Sequence, residues 1–269
     1  MLFTQIDWNE VSLIDSTFYA SQHIRPDFPI ARVSEQLDRM TEDARHYMCE
    51  LGECTHQQKL EVLLHLFYNH WGFTCSDGIY TLSDALWIDQ TLEEYRGSPV
   101  SLGIILCTLA ERLEIPVVPI VFPHQLLLKT EDFHACWGIN PADGHLITAE
   151  QLKLWVQGYY GLASPVTVET LEKCETKEAL FSILNILKSA FLHEGKFEHA
   201  LLTCELMLTL QPGDPYLLRD RGLLYAQLDC AHLARIDLNA FILKCPDDPA
   251  ADILKVQVQS LNYNRVILH

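Results

Sequence analysis

The stretch RGSPVSLGIILCTLAERL, residues 96–113, is the part of the sequence that decides the fold. Ser98 is a residue type that caps helices, Pro99 suits the first helical position, and an apolar run continues to Leu113. The pattern predicts a buried helix with Ser101 in its first turn. Unpaired N–H groups and the helix dipole stabilise an anion at this place. Ser101 therefore stands where some enzymes carry a nucleophile.

Two segments after this helix predict strands. IPVVPIVFPHQLLLKTE is rich in Val, Ile and Leu and indicates a strand pair, and ACWGINPADGHLIT indicates another strand running into a turn. A buried helix followed by strands makes this half of the chain α+β. A serine in the first turn needs a general base, because its hydroxyl is a weak acid, and His124 is the nearest candidate. Neighbouring strand residues face opposite sides, so His124 or Gln125 can face the helix, but not both.

The first seventy residues predict amphipathic helices. Apolar side chains recur every three or four residues, which places them on one helix face. The expected buried positions are Val33, Leu37, Met40, Ala44 and Met48 in one helix, and Leu60, Leu63, Leu64 and Phe67 in the next.

The last ninety residues repeat with a period of 34. This shift pairs Leu184 with Leu218, Phe191 with Tyr225, Ala200 with Ala234, and Pro212 with Pro246. Such a period, with a small residue in the second helix and a proline at the end, is typical of tetratricopeptide repeats. Gly222 supplies the small residue of the second repeat's first helix, whereas Lys188 departs from it in the first repeat. We expect a domain over 1–176 and a helical region over 177–269, with repeats at about 178–211 and 212–245 and a capping helix.

Composition excludes several classes of function. With 36 acidic against 19 basic residues the net charge is −17, which argues against binding a nucleic-acid backbone. The first residues do not resemble a signal peptide, and the longest apolar runs are too short to span a membrane. Nine scattered cysteines predict reduced thiols in a cytoplasmic protein. Cys49, Cys54 and His56 lack zinc-ligand spacing, so we expect no metal and no other cofactor.

RGSPVSLG, FPHQLLLK and INPADG, followed by repeats containing RDRGLLYAQLD, closely resemble the bacterial SirB (YchA) type family over essentially the whole chain. The resemblance implies a transglutaminase-like domain of the papain-like cysteine-protease superfamily, followed by all-α tetratricopeptide repeats. It also places Ser101 in the cysteine position, Gln125 in the histidine position and Asn140 in the aspartate position. A glutamine amide is no base, and an asparagine cannot stabilise an imidazolium as a carboxylate would. We therefore expect no catalytic residues.

The degenerate triad and the repeats together favour a non-catalytic interaction or scaffold protein, whose partner would be a protein or peptide. Repeats of this type bind extended peptides on their concave face. The corresponding groove positions are Asn185 and Ser189 in the first repeat and Tyr216, Arg219 and Leu223 in the second. With only two repeats the groove is short, and the repeats could instead serve only to cap the first domain.

Two alternatives stay open. A hydrolase or acyl-transfer enzyme could use Ser101 with His124 as its base, which requires the strand to turn His124 rather than Gln125 towards the helix. A pocket without chemistry could recognise a peptide or amide through Gln125 and Asn140, since both amides donate and accept hydrogen bonds.

Overall fold

A computed structural model describes the chain at residues 8, 10–50, 52–76, 82–122, 125–130, 137–161, 171 and 174–261. The helices of these ranges are α1 Leu13–Ile24, α2 Ile30–Glu50, α3 His56–His65, α4 Ile88–Glu94, α5 Pro99–Arg112, α6 Ala149–Tyr160, α7 Thr176–His193, α8 Phe197–Leu210, α9 Pro215–Gln227, α10 Ala231–Lys244 and α11 Pro249–Ser260. The strands are β1 Thr74–Cys75, β2 Arg96–Gly97, β3 Val117–Phe122, β4 Gln125–Thr130, β5 Gly138–Ile139 and β6 Leu146–Ile147.

The chain divides into two compact units, between Ile183 and Leu184 in the middle of α7. The predicted domain boundary after residue 176 lies at the start of the same helix. Within the described ranges, no helix combines the length and the apolar character that crossing a membrane requires.

The N-terminal helices follow the predicted pattern, apart from one local departure. The predicted face of α2 is buried along its whole length. In α3, Leu60 and Leu63 are buried, but Leu64 is only half-buried. A π-helical turn over Leu66–His70 follows α3 directly and buries Leu66 and Phe67. Leu66 is an interior residue that the predicted set does not contain.

The first unit contains two sheets. β1 and β2 form a short parallel pair, and β3, β4, β5 and β6 form an antiparallel sheet in chain order. The β3–β4 pair confirms the predicted strand pair, and β5 with β6 confirms the strand and turn that follow it.

The antiparallel sheet packs against a helix on each face. On one face, Leu126 of β4 lies beside Gly103 of α5. On the other face, Leu127 of β4 packs with Leu152 and Val156 of α6. Both faces of β4 are therefore apolar, and Leu126, Leu127 and Leu128 are all buried.

The second unit consists of helices joined by short turns, with α9 packed against both α8 and α10. The predicted period of 34 is visible in the helix starts: Asp214 caps α9 and Asp248 caps α11, each followed by a proline. A methyl group on Gly222 of α9 would lie 2.8 Å from Leu238 Cγ of α10. Gly222 is therefore needed for the close approach of these two helices.

Candidate functional site

Helix α5 begins as its sequence predicts. Ser98 is extended and its hydroxyl accepts a hydrogen bond from the Ser101 N–H at 3.2 Å, which is the arrangement of an N-cap. Pro99 opens the helix, and nearly the whole helix is buried. Ser101 thus lies in the first turn of a buried helix, at the place that the resemblance assigned to the nucleophile.

The Ser101 hydroxyl is enclosed by protein. Its side chain is 0 % exposed, and its Oγ donates a hydrogen bond of 2.7 Å to the carbonyl oxygen of Ala85. The Thr91 hydroxyl lies 3.0 Å from the same Oγ. A methyl group on Gly97 would stand only 2.4 Å from it. The hydroxyl therefore holds the segment before α4 against the start of α5, and it has no open side from which a substrate could approach.

Gln125 lies on the sheet face that packs against α6. It stands directly opposite Phe122 in the β3–β4 register, just as Leu127 stands opposite Ile120. Phe122, Ile120 and Leu127 all belong to the cluster that packs on α6. Because directly paired residues share a face, Gln125 points away from α5. The expectation that Gln125 faces Ser101 is therefore wrong, and His124 lies outside the described residues.

Asn140 organises its own turn. Its side-chain oxygen accepts a hydrogen bond of 3.1 Å from the Ala142 N–H, and its backbone N–H donates to the His145 carbonyl at 2.9 Å. Its carbonyl accepts from the Gly144 N–H at 2.8 Å. With its side-chain oxygen used in this way, Asn140 acts as an Asx turn residue.

Tyr68, in the π-helical turn, supports the turn after Asn140. Its hydroxyl donates a hydrogen bond of 2.8 Å to the Pro141 carbonyl. A methyl group on Gly144 would lie 2.4 Å from its ring. Burial is the main reason why the pKa of Tyr68 is raised well above its ordinary value. Sequence reasoning missed Tyr68, because a π-helical turn leaves no clear signal in the apolar period.

The three segments predicted to carry the triad do converge. A methyl group on Gly103 of α5 would touch both Leu126 of β4 and Pro141 of the turn, at 3.4 and 3.2 Å. Each of these residues stands one or two positions from a predicted triad position. The three segments are thus in contact, while Gln125 lies on the other face of the sheet and the Asn140 side chain bonds its own turn. These two amides do not line one pocket with Ser101.

The five predicted groove residues lie on the first helices of the two repeats. Asn185 and Ser189 are exposed on α7, and Tyr216 is exposed on α9. Arg219 lies over the Tyr216 ring at 5.3 Å. Leu223 is half-buried and packs against the cluster between α10 and α11. Four of the five positions are therefore accessible or partly accessible to a ligand, and Leu223 has chiefly a packing role.

A buried ion pair lies behind these groove positions. Lys188, which departs from the repeat pattern, is 4 % exposed, and its Nζ lies 2.6 Å from Asp220 Oδ2. Arg219 donates to the other oxygen of Asp220, at 2.9 Å from Nη2. Because this carboxylate receives bonds from both cations, it compensates the burial of Lys188. Among the described residues, no group of three or more His, Cys, Asp or Glu side chains could hold a metal ion.

Comparisons with known proteins identify both regions. The model of the transglutaminase-like superfamily matches residues 31–185, and a tetratricopeptide repeat model matches residues 187–259. Protein SirB1 of Salmonella typhimurium is 39% identical over 264 residues, which is 98% of this chain and 97% of the relative. UPF0162 protein YchA of Escherichia coli is 38% identical over the same shares. A UPF0162 protein of Buchnera aphidicola is 41% identical over 99% of both chains. No solved structure matches the chain.

Proposed function

This chain belongs to the transglutaminase-like family that includes SirB1 and YchA, and we propose that it acts as a non-catalytic protein-interaction protein. The observation that carries the proposal is the fully buried Ser101 hydroxyl, which donates to the Ala85 carbonyl. A serine nucleophile must reach a substrate carbonyl and pass its proton to a base. A hydroxyl enclosed in this way meets neither requirement.

The other two triad positions support the same proposal. Gln125 carries an amide, which cannot accept a proton at neutral pH, and it lies on the sheet face away from α5. Asn140 uses its side-chain oxygen to hold the Ala142 N–H. These two side chains therefore do not supply the base and the orienting carboxylate on which acyl-transfer chemistry of this type depends.

The repeats supply the binding surface in this proposal. Arg219 is held in place by Asp220 and lies over the rings of Tyr216 and Phe241. A side chain that is already ordered loses little entropy when a ligand binds. Together with the exposed Asn185 and Ser189, Arg219 suits an extended peptide or protein segment as the partner.

The catalytic part of the proposal is tested with a fluorophosphonate serine-hydrolase probe and a p-nitrophenyl ester. We expect neither labelling nor ester turnover above the uncatalysed background for wild type, Ser101→Ala or His124→Ala. Wild-type turnover that both substitutions abolish, with folding intact by circular dichroism, would overturn the non-catalytic assignment.

The interaction part is tested by selecting peptides from a displayed library against the full chain. Selected peptides should bind Arg219→Ala at least about tenfold more weakly than wild type, because the central cation is lost. Lys255→Ala removes a cation of the same unit whose ion pair, among the described residues, is with its neighbour Asp252, and it should bind like wild type. Selected peptides that bind both variants equally would contradict a groove at these positions. No selected peptides at all would favour repeats that only cap the first domain.

A serine–histidine enzyme is the second candidate, and one observation favours it. Leu126 contacts α5 and Gln125 faces away from it, so the amide that the resemblance places in the histidine position does not block the α5 side of the strand. The buried state of the Ser101 hydroxyl weighs against this candidate. The probe experiment with His124→Ala decides between the two.

A further inference from the structure

A cavity of about 630 Å³, which we call the α5-end cavity, lies beside the C-terminal end of α5. The buried part of its lining, its floor, consists of apolar side chains and two thiols: Leu13, Cys107, Ile115, Val117 and Cys174. Sites for small organic molecules are typically cavities of about 300–1,000 Å³ with a mostly apolar lining and a few polar groups. The size and the floor of this cavity therefore suit a small organic molecule.

The exposed part of the lining is negatively charged. Glu111, Glu114 and Glu175 line the cavity and are exposed. Within the described ranges, none of these three carboxylates forms an ion pair, and no Lys or Arg lines the cavity. His56 is the described lining residue that can carry a positive charge. The cavity thus combines an apolar floor with three carboxylates that have no counter-charge in the described part of the chain.

This charge is not simply the average of an acidic chain. A neighbouring cavity of about 340 Å³, which shares Glu114 with the α5-end cavity, is lined by Arg45, Lys59 and Arg112. Arg112 pairs with Asp38 at 2.8 Å, and Arg45 donates to the Arg112 carbonyl at 2.9 Å. These two cations are therefore bonded to groups other than Glu114. Cations line one cavity and carboxylates line the other.

Helix α5 adds to the negative potential of the α5-end cavity. Glu111 lies in the last turn of this helix, and Glu114 lies two residues past its end. The C-terminal end of a helix carries a partial negative charge, which favours cations and disfavours carboxylates. Two carboxylates without an ion pair at this end therefore repel the helix dipole, and a bound cation would relieve that repulsion.

We infer that the α5-end cavity binds a small organic cation with an apolar body. The apolar body would cover the floor, and the cationic group would stand among the three carboxylates. An anion of the same shape would be repelled, and a cation without an apolar body would leave the floor in contact with water.

The inference goes beyond the proposed function. The lining residues of the α5-end cavity belong to the first unit, whereas the five groove residues belong to the second. Glu111 stands ten residues after Ser101, which is about 15 Å along α5, so the cavity is also separate from the buried serine. The two proposals can therefore fail independently.

The test measures the binding of two probes with the same apolar ring to the full chain, by isothermal titration calorimetry at neutral pH. Naphthylmethylamine is a cation under these conditions, and naphthoate is an anion. We expect saturable binding of naphthylmethylamine, at least about tenfold tighter than that of naphthoate and weaker as salt rises. Ethylamine, a cation with almost no apolar body, should also bind at least about tenfold more weakly than naphthylmethylamine.

Two substitutions in the lining test where the probe binds. Glu175→Lys changes an exposed side chain, so the fold should be kept. It should weaken naphthylmethylamine binding about tenfold or more and strengthen naphthoate binding, because it reverses one charge of the lining. Cys107→Met places a longer side chain on the floor and should weaken naphthylmethylamine binding by a similar factor, with an unchanged circular dichroism spectrum.

Glu94→Lys is the matched control. Glu94 is the exposed last residue of α4 and does not line the α5-end cavity, so the same charge reversal there should leave naphthylmethylamine binding within about twofold of wild type. The groove variant Arg219→Ala should also bind like wild type.

Four results would overturn the inference. They are no saturable binding of naphthylmethylamine, equal binding of naphthoate, equal binding of ethylamine, and equal effects of Glu175→Lys and Glu94→Lys. A lysine-rich peptide that depends on Glu175 and binds more tightly than naphthylmethylamine would assign the cavity to a protein partner instead.

Discussion

Replacing Ser101 by alanine or by cysteine distinguishes a structural serine from a serine in an open nucleophile position. In Ser101→Ala, the Ala85 carbonyl loses the 2.7 Å bond from the hydroxyl but keeps the 2.8 Å bond from the Ser98 N–H. The Thr91 hydroxyl keeps the Trp87 carbonyl as its acceptor. Because no buried group loses its last partner, the loss should be near that of one ordinary hydrogen bond, about 1 kcal/mol.

Ser101→Cys should cost more than Ser101→Ala. Sulfur is larger than oxygen, and a methyl group on Gly97 would already stand 2.4 Å from the Ser101 Oγ and 2.6 Å from Thr91. Forcing a larger atom into a packed site typically costs about 1–3 kcal/mol. The carbonyl of Ala85 would also receive a weaker S–H donor. We therefore expect the order of stability wild type, Ser101→Ala, Ser101→Cys.

The assays are urea unfolding for the free energy and peptide-level mass spectrometry for iodoacetamide alkylation. The thiol of the Ser101→Cys variant should react far more slowly than Cys230, which is exposed and serves as the internal reference. A variant as stable as wild type whose new thiol reacts as fast as Cys230 would refute the reasoning, because the site would then be open and roomy.

Three further predictions concern the repeat unit. Lys188→Ala should lower the free energy of unfolding of this unit by about 2–4 kcal/mol in urea, because Asp220 loses a buried partner. A double-mutant cycle of Lys188→Ala with Asp220→Asn should show a coupling energy above about 1 kcal/mol. Absence of coupling would mean that this ion pair stabilises the unit no more than a pair of exposed surface charges does. Gly222→Ala should lower the free energy of unfolding, because the overpacking costs about 1–3 kcal/mol and the gain in helix propensity is only about 1 kcal/mol. Gly158→Ala is the control and should raise the free energy of unfolding, because nothing lies within 4 Å of the added methyl group. Burial raises the pKa of Cys204 to about 12 from its ordinary 9.0, so above pH 9 the unfolded chain releases a proton that the native state retains. Stability should therefore fall as pH rises beyond 9, and the fall should be shallower in Cys204→Ala; equal slopes would contradict the shift.

The start of α5 and the helical repeats are predictable from sequence for physical reasons. Ser98 and Pro99 satisfy the special demands of a first helical turn, and those demands are local. The Asp-Pro pairs at Asp214 and Asp248 are local caps in the same way, repeated at the period of the array. Signals of this kind do not depend on what the rest of the chain does.

The orientation of β4 could not be predicted, because its sequence carries no alternation. Leu126, Leu127 and Leu128 are buried in turn, against helices on both faces of the sheet. A strand with one polar face fixes its own orientation, whereas a strand that is apolar on both faces is fixed only by its neighbours. The assignment of Gln125 to the α5 face therefore rested on the resemblance alone, and the register contradicts it.

The partners of Ser101 were equally beyond sequence reasoning, since nothing in the sequence shows that the segment carrying Ala85 and Thr91 folds against the start of α5. Their arrangement nevertheless explains why a serine suits the start of α5. One carbonyl, that of Ala85, accepts from the Ser98 N–H and from the Ser101 hydroxyl, so two hydrogen bonds fasten the preceding segment over the first turn of the helix. Uncovering the hydroxyl for a substrate would break its own bond and strain the neighbouring one, at a cost of about 1 kcal/mol for each bond lost. A catalytic serine would need that segment displaced in every turnover, whereas a structural serine gains stability from keeping it closed.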